Sequence, residues 1–299
     1  MIKYHSIKIG ESTIGGPLGS TTGLVIGSIF YDKHSIVSDV FSGEFDENRA
    51  DKLISRINAL SERYGVQMGL DVIAASAEAM EKYLKFVSAR TRLPLMINST
   101  DVEVRLAGLE TASKLKILDQ CIYASINEDT EDDEVRALAR RRPATVMILA
   151  SDISDPTPEG TCEMIASFFH PLLEEIGITT PIVDVGTMDP PSIGLNIRQI
   201  IAVREKFGYP AGCAFSNCFP QWNGLNDMGR KWVDLSLATA LVACRGAGGD
   251  FMHYGIIEKA AMAAHVAGTA EVFYGFAAQE LDGQTLPKGH ALWKMFKLS

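Results

Sequence analysis

The amino-acid sequence predicts an α/β protein built as a (β/α)8 TIM barrel, with an N-terminal β-hairpin before it and a short C-terminal extension after it. Two observations lead there. Short β-branched runs alternate with helix-length amphipathic segments along the whole chain, which implies parallel strands joined by crossover helices. The runs number eight, and eight βα units over about 250 residues fit a closed barrel better than the alternative, an open doubly wound sheet.

Taken in order, "MIKYHSIKIGESTIGG" alternates as a hairpin does and lacks the uninterrupted apolar centre of a signal peptide; the hairpin is placed over 1–15. The strand runs follow: GLVIGSIF (23–30), QMGLDVIA (67–74), PLMIN (94–98), CIYAS (121–125), TVMILA (145–150), PIVDV (181–185), GCAFS (212–216) and DFMHY (250–254). Helical patterns separate them. DENRADKLISRINALSERYG ends on Gly65, and SIGLNIRQIIAVREKFG opens at Ser192 and ends on Gly208, with glycine in each case where a helix needs a left-handed cap. The extension, carrying HALWKMF, is placed over 275–299, and residues 1–299 read as one domain.

Of 299 residues, 46% are hydrophobic and 22% charged, a soluble globular composition, and the net charge is −9. An acidic chain without a basic stripe argues against a nucleic-acid face, because neutralising phosphates requires clustered Lys and Arg. No apolar run is long enough to cross a bilayer. The five cysteines, Cys121, Cys162, Cys213, Cys218 and Cys244, sit in apolar segments without paired spacing, and read as reduced, buried thiols of a cytoplasmic protein.

In a barrel of this kind the βα loops at the C-terminal strand ends form the site. Those ends carry Asp71, Asn98, Asn127, Asp184, Asn217 and His253. Asp and Asn without Lys or Arg at the same level suit a neutral heterocycle with several N–H and C=O groups, and suit a phosphate poorly. Each of these residues also has a plainer reading, since Asn and Asp cap helices and form turns. Asp71 is the least easily explained that way, because it lies inside its apolar run.

The segments VIGSIFYDKHSIV, SAEAMEKYLKFV, INSTDVEVRLAGLE and KFGYPAGCAFSN resemble the H subunit of tetrahydromethanopterin S-methyltransferase and its soluble bacterial relatives, which pass methyl groups between corrinoid proteins and tetrahydrofolate. The similarity runs along nearly the whole chain. More distantly, INST with Asn98, SINE with Asn127, IVDV with Asp184 and FSNC with Asn217 follow, in order, the strand-end motifs of the pterin-binding methyltransferases. Two departures stand out: Asn98 occupies a position where the wider family has aspartate, and Ile73 replaces an asparagine two residues after Asp71.

The resemblance implies a methyltransferase that moves a methyl group from a corrinoid protein to N5 of tetrahydrofolate. Asp184 would accept the paired N–H donors of the pyrimidine edge, with Asn98, Asn127 and Asp71 as further pterin contacts and Asn217 facing N5. Ser216, His253, Arg230, Lys231 and Trp222 are candidate supporting residues. A homodimer and a separate corrinoid protein are expected as partners, the chain having no Asp-x-His-x-x-Gly segment of its own. Protein-bound metal is not expected, because the six histidines are scattered and Cys213 and Cys218 are spaced for opposite strand faces. Three alternatives stay open: a subunit using tetrahydromethanopterin within a larger complex, a non-catalytic pterin-binding subunit, and an enzyme like dihydropteroate synthase. The last lacks the Ser-Arg-Lys signature, since FSNCF stands after the seventh strand, although Arg230 and Lys231 follow nearby.

Overall fold

The computed structural model describes residues 3–296; the outermost positions of the expected hairpin and extension, 1–2 and 297–299, lie outside the described residues. The strands are β1 (Ser6–Ile9), β2 (Ser12–Gly15), β3 (Leu24–Ile29), β4 (Val37–Asp39), β5 (Glu44–Phe45), β6 (Gln67–Ile73), β7 (Leu95–Asn98), β8 (Cys121–Ile126), β9 (Thr145–Leu149), β10 (Ile182–Asp184), β11 (Ala211–Cys213) and β12 (Phe251–Ile256). Eight of them, β3 and β6 to β12, form one closed parallel barrel. They coincide with the eight runs read from the sequence, to within a few residues at each end.

Local signals explain where the helices begin and end. Asp46 accepts a hydrogen bond from the Arg49 amide at the start of helix Glu47–Tyr64, and Gly65, at φ 63°, ends it. Ser192 does precede helix Ile193–Phe207, which Gly208 ends at φ 70°. Its hydroxyl, however, faces back to the amides of Met188 and Asp189 at 3.3 and 3.2 Å rather than forward into the helix. After β9 the helix is interrupted by a π turn, Ile165–Phe169, two residues before Pro171, which has no N–H to donate to the preceding turn. The last barrel helix, Ala260–Asp282, runs through position 275, so the extension begins only beyond Gly283 and carries the short helix Ala291–Met295.

Inside the barrel, Leu24, Ile26, Met96, Ile122, Ala124, Met147, Ile182 and Phe251 form one apolar cluster with Ile7, Ile9 and Ile14 of the hairpin. The hairpin, with β1 and β2 antiparallel, therefore plugs the N-terminal end. A second, larger cluster packs the outer strand face against the helices. Period-two alternation of the side chains separates the two layers.

At the plugged end, four charged side chains are buried together. Arg245, 1% exposed, donates Nε to Glu271 at 2.6 Å, and Glu271 also accepts the Gly23 amide at 2.7 Å. Arg204 pairs with Asp250 and donates to the Gly16 carbonyl at 2.6 Å. Removing one member strands another charge without solvent, so Glu271→Ala should lower the unfolding free energy by about 3–5 kcal/mol. Glu81→Ala, which removes an exposed pair with Lys85, should change it by about 0.5 kcal/mol or less. Urea denaturation of the two variants checks the contrast.

Candidate active site

The inward face of the barrel changes character over one step at its C-terminal end. Two residues along from Ile26, Met96, Ile182 and Phe251 the inward positions are Ser28, Asn98, Asp184 and His253, and Asp71 follows Gly69 in the same way. All but Asn98 are buried.

Asp71 is the centre of this layer and is 2% exposed. One carboxylate oxygen accepts from the Ser28 hydroxyl at 2.8 Å and lies 3.1 Å from His253 Nε2, while the other accepts from Asn98 Nδ2 at 2.9 Å. In register it pairs with Ser28 on one side and Met96 on the other, one step below the mouth. That depth explains its position inside an apolar run. Ile73, at the end of the same strand, lies in register with Asn98.

Asp184 ends β10 and is buried without a cationic hydrogen-bond partner. Its Oδ1 accepts the Gly186 amide at 2.8 Å, across a turn for which Gly186 supplies φ 66°, and the Cys213 thiol and Ala214 amide also face it. Burial raises its pKa to about 6, although the Gly186 hydrogen bond and the attraction of His253 pull the other way. Burial likewise pushes the Cys213 thiol well up, and all five cysteines are free and buried.

Asn127 lies just past β8, where its oxygen accepts the Asp129 amide at 3.1 Å; this is the turn role that Asn plays in loops. Asn217 ends the 3-10 turn Phe215–Asn217 and is exposed. It caps neither following helix, since Trp222 precedes Asn223–Met228 and Gly229 precedes Arg230–Gly246. Trp222 is 44% exposed and lies over Phe219. Arg230 is 3.9 Å from Asp234 on its own helix, and Lys231 lies against the Trp232 ring; both are exposed, away from the buried layer.

Ser28 is the residue that motif reading missed. It carries no motif, yet the alternation of β3 places it on the face of Leu24 and Ile26, and that period was its only signal. Two clefts, of about 550 and 650 Å³, lie at the opposite face around Gln67. A smaller one of about 390 Å³ opens beside the mouth between Ser216, Phe219, Tyr254, Gly255 and Lys259. Among the described residues, no group of three or more His, Cys, Asp or Glu side chains is arranged to hold a metal ion, and no helix is long and apolar enough to cross a membrane.

A closed βα barrel with buried carboxylates and an imidazole under its C-terminal loops has the architecture of a TIM-barrel enzyme. The chain belongs to the family described as tetrahydromethanopterin S-methyltransferase MtrH subunit, whose model matches residues 3–285. It is 32% identical over 301 residues to the H subunit of tetrahydromethanopterin S-methyltransferase from Methanothermobacter marburgensis, covering 97% of this chain and 96% of that one. The counterpart from Methanothermobacter thermautotrophicus is 31% identical with the same coverage. Among solved structures, Yersinia pestis dihydropteroate synthase in a sulfonamide drug complex superimposes with a TM-score of 0.64 at 12% identity, over 90% of this chain and 98% of that one. At that identity the likeness is one of fold.

A raised carboxyl pKa has a signed consequence for stability. The folded state favours protonated Asp184, so its contribution is fully present below the usual carboxylate range and is lost as pH rises through about 6. Asp184→Asn should therefore stabilise the protein at neutral pH, by up to about 3 kcal/mol, and lose that advantage in acid. Denaturation at both pH values checks it; equal stability of the two proteins at neutral pH would mean that Asp184 is not strained by burial.

Proposed function

We propose that the chain moves a methyl group between a corrinoid carried by a partner protein and N5 of a tetrahydropterin, and that tetrahydromethanopterin, rather than the tetrahydrofolate expected from the resemblance to the bacterial relatives, is the pterin. The family and the names of its relatives support the pterin. The observation that carries the site is Asp184, a desolvated carboxylate at a barrel mouth with no cation bonded to it. A pyrimidine edge with two adjacent N–H donors supplies what burial has taken from it.

When bound, the corrinoid supplies the methyl group and takes up the bonding electron pair. The protein's part is to hold and orient. Asp184 fixes the pyrimidine edge, Asp71 holds Asn98 by its amide nitrogen, and Asn217, free of any cap role, would meet N5. Such positioning contributes about 7–11 kcal/mol in favourable model systems. Trp222 and the cations Arg230 and Lys231 stand further out, where they would meet the pterin's arm or the partner protein. Residues 1–299 act here as one unit. A second copy would cover the exposed Trp232 and Leu235 on one helix and Phe273 and Phe276 on the helix packed against it.

Calorimetric titration with both pterins tests this reading. Tetrahydromethanopterin should bind more tightly, and a preference for tetrahydrofolate would reverse the pterin assignment. Asp184→Ala should weaken binding by roughly 2–4 kcal/mol. Wild-type affinity should fall as pH drops below about 6, because the ionised carboxylate is the acceptor.

Asn217→Ala should behave differently. If it acts where charge changes at N5, single-turnover methyl transfer at saturating pterin slows by about 10²- to 10³-fold, while pterin affinity and melting temperature stay near wild type. Loss of affinity equal to the loss of rate would make Asn217 an ordinary binding residue.

A further inference from the structure

We propose that His253, held between Asp71 and Ser216, relays the proton that N5 of the pterin loses when it is methylated and regains in the reverse direction. This rests on the function proposed above. The need for a relay comes from the atom balance. The N5 lone pair forms the new bond to carbon, the carbon–cobalt bond breaks with its electron pair left on cobalt, and the N5–H bond breaks with its pair restoring the lone pair. One proton must therefore leave the site.

The ring of His253 is held at both nitrogens. Nδ1 faces the Gly255 amide at 3.2 Å and the Ser216 hydroxyl at 3.1 Å. A backbone amide can only donate, so Nδ1 of the neutral ring is the acceptor and the ring proton sits on Nε2. That nitrogen faces Asp71 Oδ2 and Ser28 Oγ, each at 3.1 Å. The arrangement leaves a basic nitrogen toward Ser216 and a carboxylate behind it to stabilise the imidazolium, the division of labour of a Ser-His-Asp triad with the two ring nitrogens exchanged.

Local backbone structure is fitted to this chain of groups. The register of β12 against β3 shifts between His253 and Gly255, and such bulges re-aim side chains next to sites. Gly255 has φ 90°, and a Cβ there would come within 3.1 Å of Ser216. Ser216 is half-buried, adjoins Asn217, and lines the cleft of about 390 Å³ beside the mouth, so the chain runs from a buried carboxylate to an opening. The charged groups that face the ring are Asp71 from β6 and Asp184 from β10; Lys259, in the cleft, is engaged by Asp234 at 2.8 Å.

The first measurement needs no substrate. Nitrogen-15 NMR of the wild-type ring should find the proton of the neutral form on Nε2; a proton on Nδ1 would overturn the relay. The second is single-turnover methyl transfer from a methylated corrinoid protein to saturating tetrahydromethanopterin as a function of pH, with pterin affinity measured separately by calorimetry. The wild-type rate should fall in acid, because the relay needs a free lone pair on Nδ1. His253→Gln should be about 10²-fold slower and lose that acid-side fall, with pterin affinity little changed. Should that variant not fold, Ser216→Ala, which removes one half-exposed hydroxyl, takes its place with the same expectation. A slower variant that keeps the wild-type pH profile would make the histidine structural and sink the proposal, as would a wild-type rate. Failure of the wild-type protein itself to bind or methylate a tetrahydropterin would instead remove the function on which the relay rests.

Discussion

Everything at the barrel mouth depends on the pairing of β12 with β3, the seam where the two ends of the sheet meet. Phe251 pairs with Leu24, Met252 with Val25 and His253 with Ile26, and only this closure brings His253 across to Asp71 and Ser28. The seam joins segments from opposite ends of the chain, so its loop-closure entropy is among the largest in the fold. It is secured at the far end of the same strands. The Leu24 amide donates to the Asp250 carbonyl at 2.8 Å, while Glu271 holds both Arg245 and the Gly23 amide. Charges that are costly to bury are thus paired at the plugged end, where they fix register without competing for a ligand.

At the mouth two carboxylates are treated oppositely. Asp71 has side-chain partners on both oxygens, Ser28 and Asn98 from the adjacent strands and His253 from the strand beyond β3, and it organises the layer beneath the opening. Asp184 has backbone donors and a thiol, no bonded cation, and a pKa raised by burial. A carboxylate kept in that condition destabilises the folded protein at neutral pH, which is the pattern expected of a group kept for a ligand rather than for the fold. His253 contacts Asp71 directly, and its charge acts on Asp184.

The structural likeness to dihydropteroate synthase and the family match carry different weight. A shared barrel at 12% identity establishes how strands and loops are disposed, and barrels of one architecture host many chemistries. The family assignment, over residues 3–285, narrows the chemistry to methyl transfer. The choice between pterins is one that the barrel-mouth residues do not make, since both pterins share the ring edge that Asp184 would hold.

The sequence by itself determined the fold class. Periodicity and glycine caps are local properties, and eight strands with their crossover helices could be read from them because parallel β/α alternation leaves few topologies. It also brought out Asp71, Asn98, Asp184, Asn217 and His253 as strand-end polar residues. Their division into separate roles was decided only by the tertiary structure, because that depends on which strands become neighbours and how far each is staggered. Asn127 is drawn into its own turn, Asn217 is left free of the helix-cap role open to it, and Arg230 and Lys231 fall outside the layer. Ser28, a small residue in an apolar run, acquires meaning only when β6 and β12 arrive on either side of β3. A hydrogen bond between residues 28, 71 and 253 has no signature in a linear chain; it exists because the sheet closes.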